Sequence, residues 1–198
     1  WDRGANVDSV PTSLAIFWAT DVIDKAMNDP EGVADYRQRG ITRDAYVAEV
    51  ADQISLDALD RATRKLAADF GSWQTPWGEI NRFQRITGDI VQPHNDNAES
   101  IPVGFASAVW GSLASFGVRE TDTKRLYGSY GNSFVAVVEF GDKVRAKAVT
   151  AGGQSGDPSS PHFKDQAGNY ARGELRPVYF YPEEIQAVAE ETYKPGSR

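Results

Sequence analysis

The stretch Phe134-Val135-Ala136-Val137-Val138-Glu139-Phe140, then Gly141-Asp142, then Lys143-Val144-Arg145-Ala146-Lys147-Ala148-Val149, constrains this chain more than any other. Two apolar, β-branched arms joined by a two-residue Gly-Asp link read as a hairpin over 133–150. The first arm is apolar at nearly every position, which predicts burial on both of its faces. The second alternates and places Lys143, Arg145 and Lys147 on one side.

The first third of the chain has a different period. Pro11 suits the first turn of a helix, where its missing N–H costs nothing. Leu14, Phe17, Trp18, Val22 and Ala26 follow at helical spacing, so 11–28 reads as a helix that Asn28-Asp29-Pro30 and Gly32 end. A second helix is expected over 43–70, with Thr42 as N-cap and Gly71 as its stop. Its apolar stripe is Tyr46, Val50, Ile54, Leu59, Ala62, Leu66 and Phe70. Residues 71–132 are rich in Gly, Pro, Ser and Asn and read as ordered loops with a few short strands, for instance Phe105 to Trp110 and Ser112 to Val118. Glu174 to Tyr181 is a further strand candidate. Pro182 opens a short helix whose buried stripe is Ile185, Val188 and Ala189. The expected class is α+β, as one segment over 1–198: mainly helical to residue 70, loop-rich to 132, then hairpin, strand and short helix.

Composition excludes several roles. The chain has 198 residues, 40% of them hydrophobic, with 9 Phe, 8 Tyr and 5 Trp, enough for a sizeable core. It has no cysteine, so disulfides, thiolate metal sites and a cysteine nucleophile are excluded within it. The net charge is −7 and the basic residues are scattered, which argues against nucleic acid as a partner. No run approaches the roughly 18 apolar residues of a membrane span.

Chemistry-bearing segments cluster around the hairpin. Directly after it comes Gly152-Gly153-Gln154-Ser155-Gly156-Asp157-Pro158-Ser159-Ser160-Pro161-His162-Phe163-Lys164-Asp165-Gln166. Upstream are Trp1-Asp2-Arg3 with Asp8-Ser9, and Gly71-Ser72-Trp73 with Pro76-Trp77-Gly78-Glu79-Ile80-Asn81-Arg82. Tyr130-Gly131-Asn132-Ser133-Phe134 precedes the signature, and Glu174-Leu175-Arg176-Pro177-Val178 through Glu183-Glu184-Ile185 follows it. Taken in this order, these segments resemble the C-terminal part of the β chain of penicillin-amidase-type acylases, the group that includes cephalosporin and acyl-homoserine-lactone acylases.

The resemblance implies an αββα sandwich of the N-terminal-nucleophile hydrolases, of which this chain is the C-terminal portion. It implies a precursor that cuts itself, exposing an N-terminal Ser, Thr or Cys that attacks the amide of a penicillin, cephalosporin or N-acyl-homoserine-lactone type substrate. In the family, the nucleophile, its oxyanion Asn and the supporting Arg lie upstream of the matching segment. No catalytic residue is therefore expected on this chain, and taken alone it is expected to be inactive. The implied partners are the α chain, the N-terminal part of the β chain and a small acyl-amide substrate. A periplasmic or secreted location follows from the resemblance only. No cofactor is expected, and a calcium ion, where the family has one, is carried by other segments.

Six residues stand out as lining or bracing a substrate cleft: Trp77, Arg82, Gln154, Ser155, His162 and Asp165. Each has a structural reading beside the functional one. Gln154 and Ser155 follow a strand end, where such side chains satisfy backbone groups. His162 with Asp165 has the residue types of a carboxylate-oriented base, yet an N-terminal nucleophile needs no histidine. Gly153-Gln154-Ser155-Gly156-Asp157 is not a nucleophile elbow, because Asp157 stands where the second glycine belongs. Trp77, with Trp73 and Trp110, either forms a ligand platform or anchors loops. Arg82 is expected to pair with a buried carboxylate. His94-Asn95-Asp96-Asn97 with Glu99 is oxygen-rich, but lacks regular calcium-loop spacing and fits turns. The rival function is a self-contained, non-catalytic binding domain with an aromatic groove.

Overall fold

A computed structural model describes residues 4–112, 116–119, 121–194 and 196. The Trp1-Asp2-Arg3 part of the expected helix start lies outside the described residues.

The N-terminal part is a helical layer. Helix α1 (Val10–Met27) starts where Ser9 accepts the Thr12 N–H at 3.2 Å, with Pro11 in its first turn. Helix α3 (Arg43–Phe70) is capped by Thr42, whose hydroxyl accepts from Ala45 N at 3.2 Å, and it ends at Gly71 in the left-handed conformation. The two long helices pack against each other and are joined by Arg61, which grips Asp21 with Nη2–Oδ2 at 2.7 Å and Nε–Oδ1 at 3.0 Å. The Trp18 indole N–H donates across the same seam to Ser55 O at 3.1 Å.

Between them lies a helix where the sequence predicts only a break. Asp29 caps helix α2 (Pro30–Arg39) through the Glu31 N–H, and Pro30 occupies its first position. The Asn-Asp-Pro punctuation thus ends one helix and starts the next. Tyr36 of α2 stacks on Tyr46 of α3 with centroids 4.9 Å apart, which fixes the connection.

Residues 71–132 carry a short helix, α4 (Trp77–Ile80), and a four-stranded sheet of order β2-β1-β4-β3. Its strands are β1 (Asn81–Phe83), β2 (Ile101–Pro102), β3 (Phe116–Val118) and β4 (Leu126–Gly131), with β1 and β4 parallel. The expected strand over 105–110 is instead a 3-10 turn at Ala108–Trp110, capped by Ser107. Of the expected strand over 112–118 only β3 forms within the described residues; 113–115 lie outside them. Leu66, Trp77, Ile80 and Ala106 form the core between the helices and this sheet.

The hairpin forms, but one residue out of the register that a two-residue Gly141-Asp142 link implies: residues 140–144 all leave the ladder, and the Val144 N–H is taken by the Tyr181 hydroxyl at 2.9 Å. Strand β5 (Phe134–Glu139) pairs antiparallel with β6 (Arg145–Thr150), Phe134 opposite Thr150 and Glu139 opposite Arg145. Strand β7 (Arg176–Val178) adds to β6, a shorter piece than the expected 174–181. Helix α5 (Ala167–Arg172) packs on β6, and α6 (Pro182–Val188) follows β7.

Burial of the hairpin departs from expectation. β5 is an edge strand of the order β5-β6-β7. Phe134 is 58% exposed, Val137 60% and Phe140 84%. The apolar stripe of α6 is likewise uncovered, with Ile185 48% and Val188 47% exposed. The physical reason is layer count: among the described residues no further layer covers the exposed apolar side chains of β5 and α6.

Candidate functional site

The elements around β1 are held by polar side chains rather than by strand length. Asn81, Arg82 and Gln84 all reach into the segment 95–105. Asn81 Nδ2 donates to Val103 O at 2.8 Å and Phe105 O at 2.7 Å. Arg82 donates through Nε to Ser100 Oγ at 3.0 Å, through Nη2 to Ser100 O at 2.7 Å and through Nη1 to Gly78 O at 2.8 Å. Burial lowers its pKa, although Glu79 nearby opposes the effect. The expected carboxylate partner is thus replaced by main-chain oxygens: Arg82 is a loop clamp. Gln84, 3% exposed, accepts from Asn95 N and donates to Asn95 O, both at 2.9 Å.

That clamp organises 94–99. The Asp96 carboxylate accepts from Lys124 N at 2.8 Å, Arg125 N at 3.3 Å and the Tyr127 hydroxyl at 3.1 Å. It therefore bridges this loop to the start of β4, and the Asn/Asp cluster makes turns. His94 stacks on the Tyr127 ring, centroids 4.9 Å apart and 10° from parallel. Burial pushes its imidazole below the ordinary value, so it is neutral at neutral pH.

The signature segment folds back on the end of β6. Gln166 N donates to Gly152 O at 2.9 Å, and Gln166 Oε1 accepts from Thr150 N at 3.2 Å. Ser155 N donates to His162 O at 3.1 Å and closes the loop internally. Gly153 is needed for this approach: a Cβ there would lie 2.1 Å from His162 O. Phe163 is buried at 4% exposure beneath the Arg85 guanidinium, 4.2 Å from its ring centroid, while Arg85 Nη1 donates to Phe163 O at 2.6 Å.

These pieces enclose a cleft of about 620 Å³. Its lining includes Gly152, Gly153, Thr150 and Ser133 from the hairpin side, and Gln84, Arg85, residues 89–92 and His94 from the segment after β1. The segment 86–92 is closed by Gln92, whose Oε1 accepts from Ile86 N at 2.7 Å and Thr87 N at 3.0 Å. That closure leaves Ile90 and Val91 at the rim, fully exposed and 73% exposed. Among the described residues three buried side-chain polar atoms have no hydrogen-bond partner: Trp77 Nε1, His94 Nδ1 and Thr150 Oγ1. Two of the three belong to this cleft.

The six residues singled out from sequence do not converge. Trp77 is 2% exposed in the helix–sheet core and anchors α4. Arg82 is the clamp described above. Gln154 points to solvent, and half-buried Ser155 serves the internal loop bond and accepts from Asp157 N at 3.1 Å. His162 Nδ1 does meet Asp165 Oδ2 at 3.0 Å, but the imidazole is 70% exposed and the pair lies outside the cleft lining. The ties around the cleft run through Gln84, Thr150 and Gln166, of which only Gln166 belongs to the signature segment. Their signal is faint: Gln84 and Thr150 are single polar residues at a strand end, and Gln166 is one polar residue before a short helix. His94 was visible only as one member of an oxygen-rich cluster.

The family model for penicillin amidase matches residues 1–187, nearly the whole chain and all of the segments that build the cleft. That match shows the lineage: this chain belongs to the penicillin amidase family of acylase-type amide hydrolases.

Proposed function

We propose that this chain is the C-terminal part of the long chain of a self-processed acylase, and that its cleft wall faces the substrate. The observation that carries the reading is the family match over 1–187, which includes the Gly152–Gln166 segment whose first two residues line the cleft. The substrate is an amide joining an acyl group to a small amine, of the penicillin, cephalosporin or N-acyl-homoserine-lactone type. The nucleophile lies outside the chain. Its hydroxyl or thiol adds to the amide carbonyl while its own α-amino group takes the proton. That proton passes to the departing amine, and water then releases the acid. Donors elsewhere in the protein stabilise the oxyanion.

The uncovered faces of β5 and α6 support a role within a larger body. An edge strand apolar on both sides is an aggregation hazard unless further polypeptide covers it. In this reading the α chain and the rest of the β chain complete an αββα sandwich around the hairpin, and a periplasmic or secreted location accompanies the family. No helix among the described residues is long and apolar enough to cross a membrane. Any calcium ion belongs to those other parts. The test is to assay N-acyl amide hydrolysis by the full-length gene product and by residues 1–198 alone. The full-length protein is expected to turn over and the isolated chain to be inactive; turnover by the isolated chain overturns the reading.

A further inference from the structure

We infer that Arg85 is a partition: its side chain divides one long cavity into the cleft and a second pocket behind it, and so sets how long a tail the cleft accepts. The claim that this tail belongs to a substrate rests on the acylase reading; the partition itself does not.

Two cavities meet at three consecutive residues. The cleft of about 620 Å³ and a rear pocket of about 210 Å³ both have Phe83, Gln84 and Arg85 in their linings. Phe83 packs into the core around Val103 and Phe116, and Gln84 is locked onto Asn95 through both ends of its amide. Of the three, Arg85 spans the gap to the signature segment. Its stem runs directly over Gly152, where a Cβ would lie 3.1 Å from Arg85 Cδ and 2.9 Å from Nη1. Its guanidinium carbon lies 4.2 Å from the Phe163 ring centroid, and Nη1 donates to Phe163 O at 2.6 Å. Held at both ends, the arm presents its apolar stem as a wall and keeps its charge on the signature segment.

The rear pocket suits an apolar tail once that wall is removed. Its polar members already have partners: Lys164 Nζ meets Glu99 Oε2 at 2.7 Å, and Ser100 Oγ accepts from Arg82 Nε at 3.0 Å. Phe83, Ile101 and Ala167 supply its apolar surface. A tail that passes position 85 would gain burial against them, about fourfold in affinity for each methylene.

The experiment uses the full-length gene product and the straight-chain alcohols from butanol to decanol, which carry a tail and no bond to hydrolyse. Binding is followed by calorimetry. In the parent, affinity is expected to rise about fourfold per added methylene and then to level off. In Arg85→Ala the levelling point is expected to move at least about two carbons further, because the rear pocket joins the cleft. Arg85→Met keeps the length of the arm and loses the bond to Phe163 O, and it is expected to level off with the parent. Arg85→Val shortens the arm less drastically; it is expected to move the levelling point as well, and it keeps the test decisive if the alanine variant misfolds. No saturable binding of any alcohol, a levelling point unmoved in the shortened variants, or one that moves equally in Arg85→Met overturns the inference. N-acyl amides of the same tail lengths separate the two claims. A shifted alcohol series without amide turnover leaves the partition standing and removes the acylase reading; turnover with an unshifted alcohol series does the reverse.

Discussion

Gln166 Oε1 accepts the Thr150 N–H at 3.2 Å, and through that bond the far end of the signature loop is tied to the last residue of β6. Gln166 is only 5% exposed, and its main-chain N–H closes the same loop on Gly152. Replacing it by alanine strands the Thr150 N–H and opens a void. Gln166→Ala is expected to cost about 1–3 kcal/mol in urea unfolding. A loss within error would mean the loop is held by its other bonds.

Gly153 tests the same loop sterically. Its missing Cβ makes room for His162 O, a main-chain atom that cannot swing aside. Gly153→Ala is expected to destabilise by about 1–3 kcal/mol, and a variant melting with the parent would contradict the close approach.

Arg82 spans three acceptors on two segments. Arg82→Met keeps much of its length and removes every donor. The expected loss is roughly 2–4 kcal/mol, with faster amide hydrogen exchange confined to residues near 97–102. Uniform acceleration across the chain would argue against a local clamp.

How far the sequence revealed all this depends on what each residue answers to. Helices α1 and α3 were readable because period and punctuation agree: Pro11 and Asn28-Asp29-Pro30 for one, Thr42 and Gly71 for the other. The two arms of the hairpin were equally plain but its register was not: Gly141-Asp142 implies a two-residue link, and the chain turns over the five residues 140–144 instead. Helix α2 was missed because Asn28-Asp29-Pro30 is both a stop and a start, and Asp29 as a cap outweighs Gly32 as a breaker. Burial of β5 was misjudged because apolarity records what a strand needs, not what this chain supplies. The site was the least legible part. Gln84 and Gln166 act through side-chain hydrogen bonds to main-chain groups 11 and 16 residues away, and no local pattern announces such bonds.

His94 gives the stability profile an acid limb. Burial holds its folded pKa below the unfolded value of 6.5. As pH falls the unfolded chain takes up the proton first, so the contribution is complete above about 6.5 and is lost as pH drops through the folded value. His94→Phe should flatten the slope of stability against pH in that window. Tyr170 acts at the other end: burial raises its hydroxyl from 10.0 to about 12, so its contribution is full below 10 and is lost as pH climbs towards 12. Tyr170→Phe, which loses the bond to Asn132 O at 2.7 Å, should remove that alkaline limb. A slope unchanged in either variant would contradict the assignment.

The claim on which the rest depends is that the chemistry is done by a residue outside this chain. Intact mass and N-terminal sequencing of the purified full-length gene product test it most directly. The account predicts two chains from one precursor, the longer beginning with Ser, Thr or Cys and containing the segment that ends in Lys194-Pro195-Gly196-Ser197-Arg198. A native product that begins at or near Trp1 and still hydrolyses an N-acyl amide would contradict it.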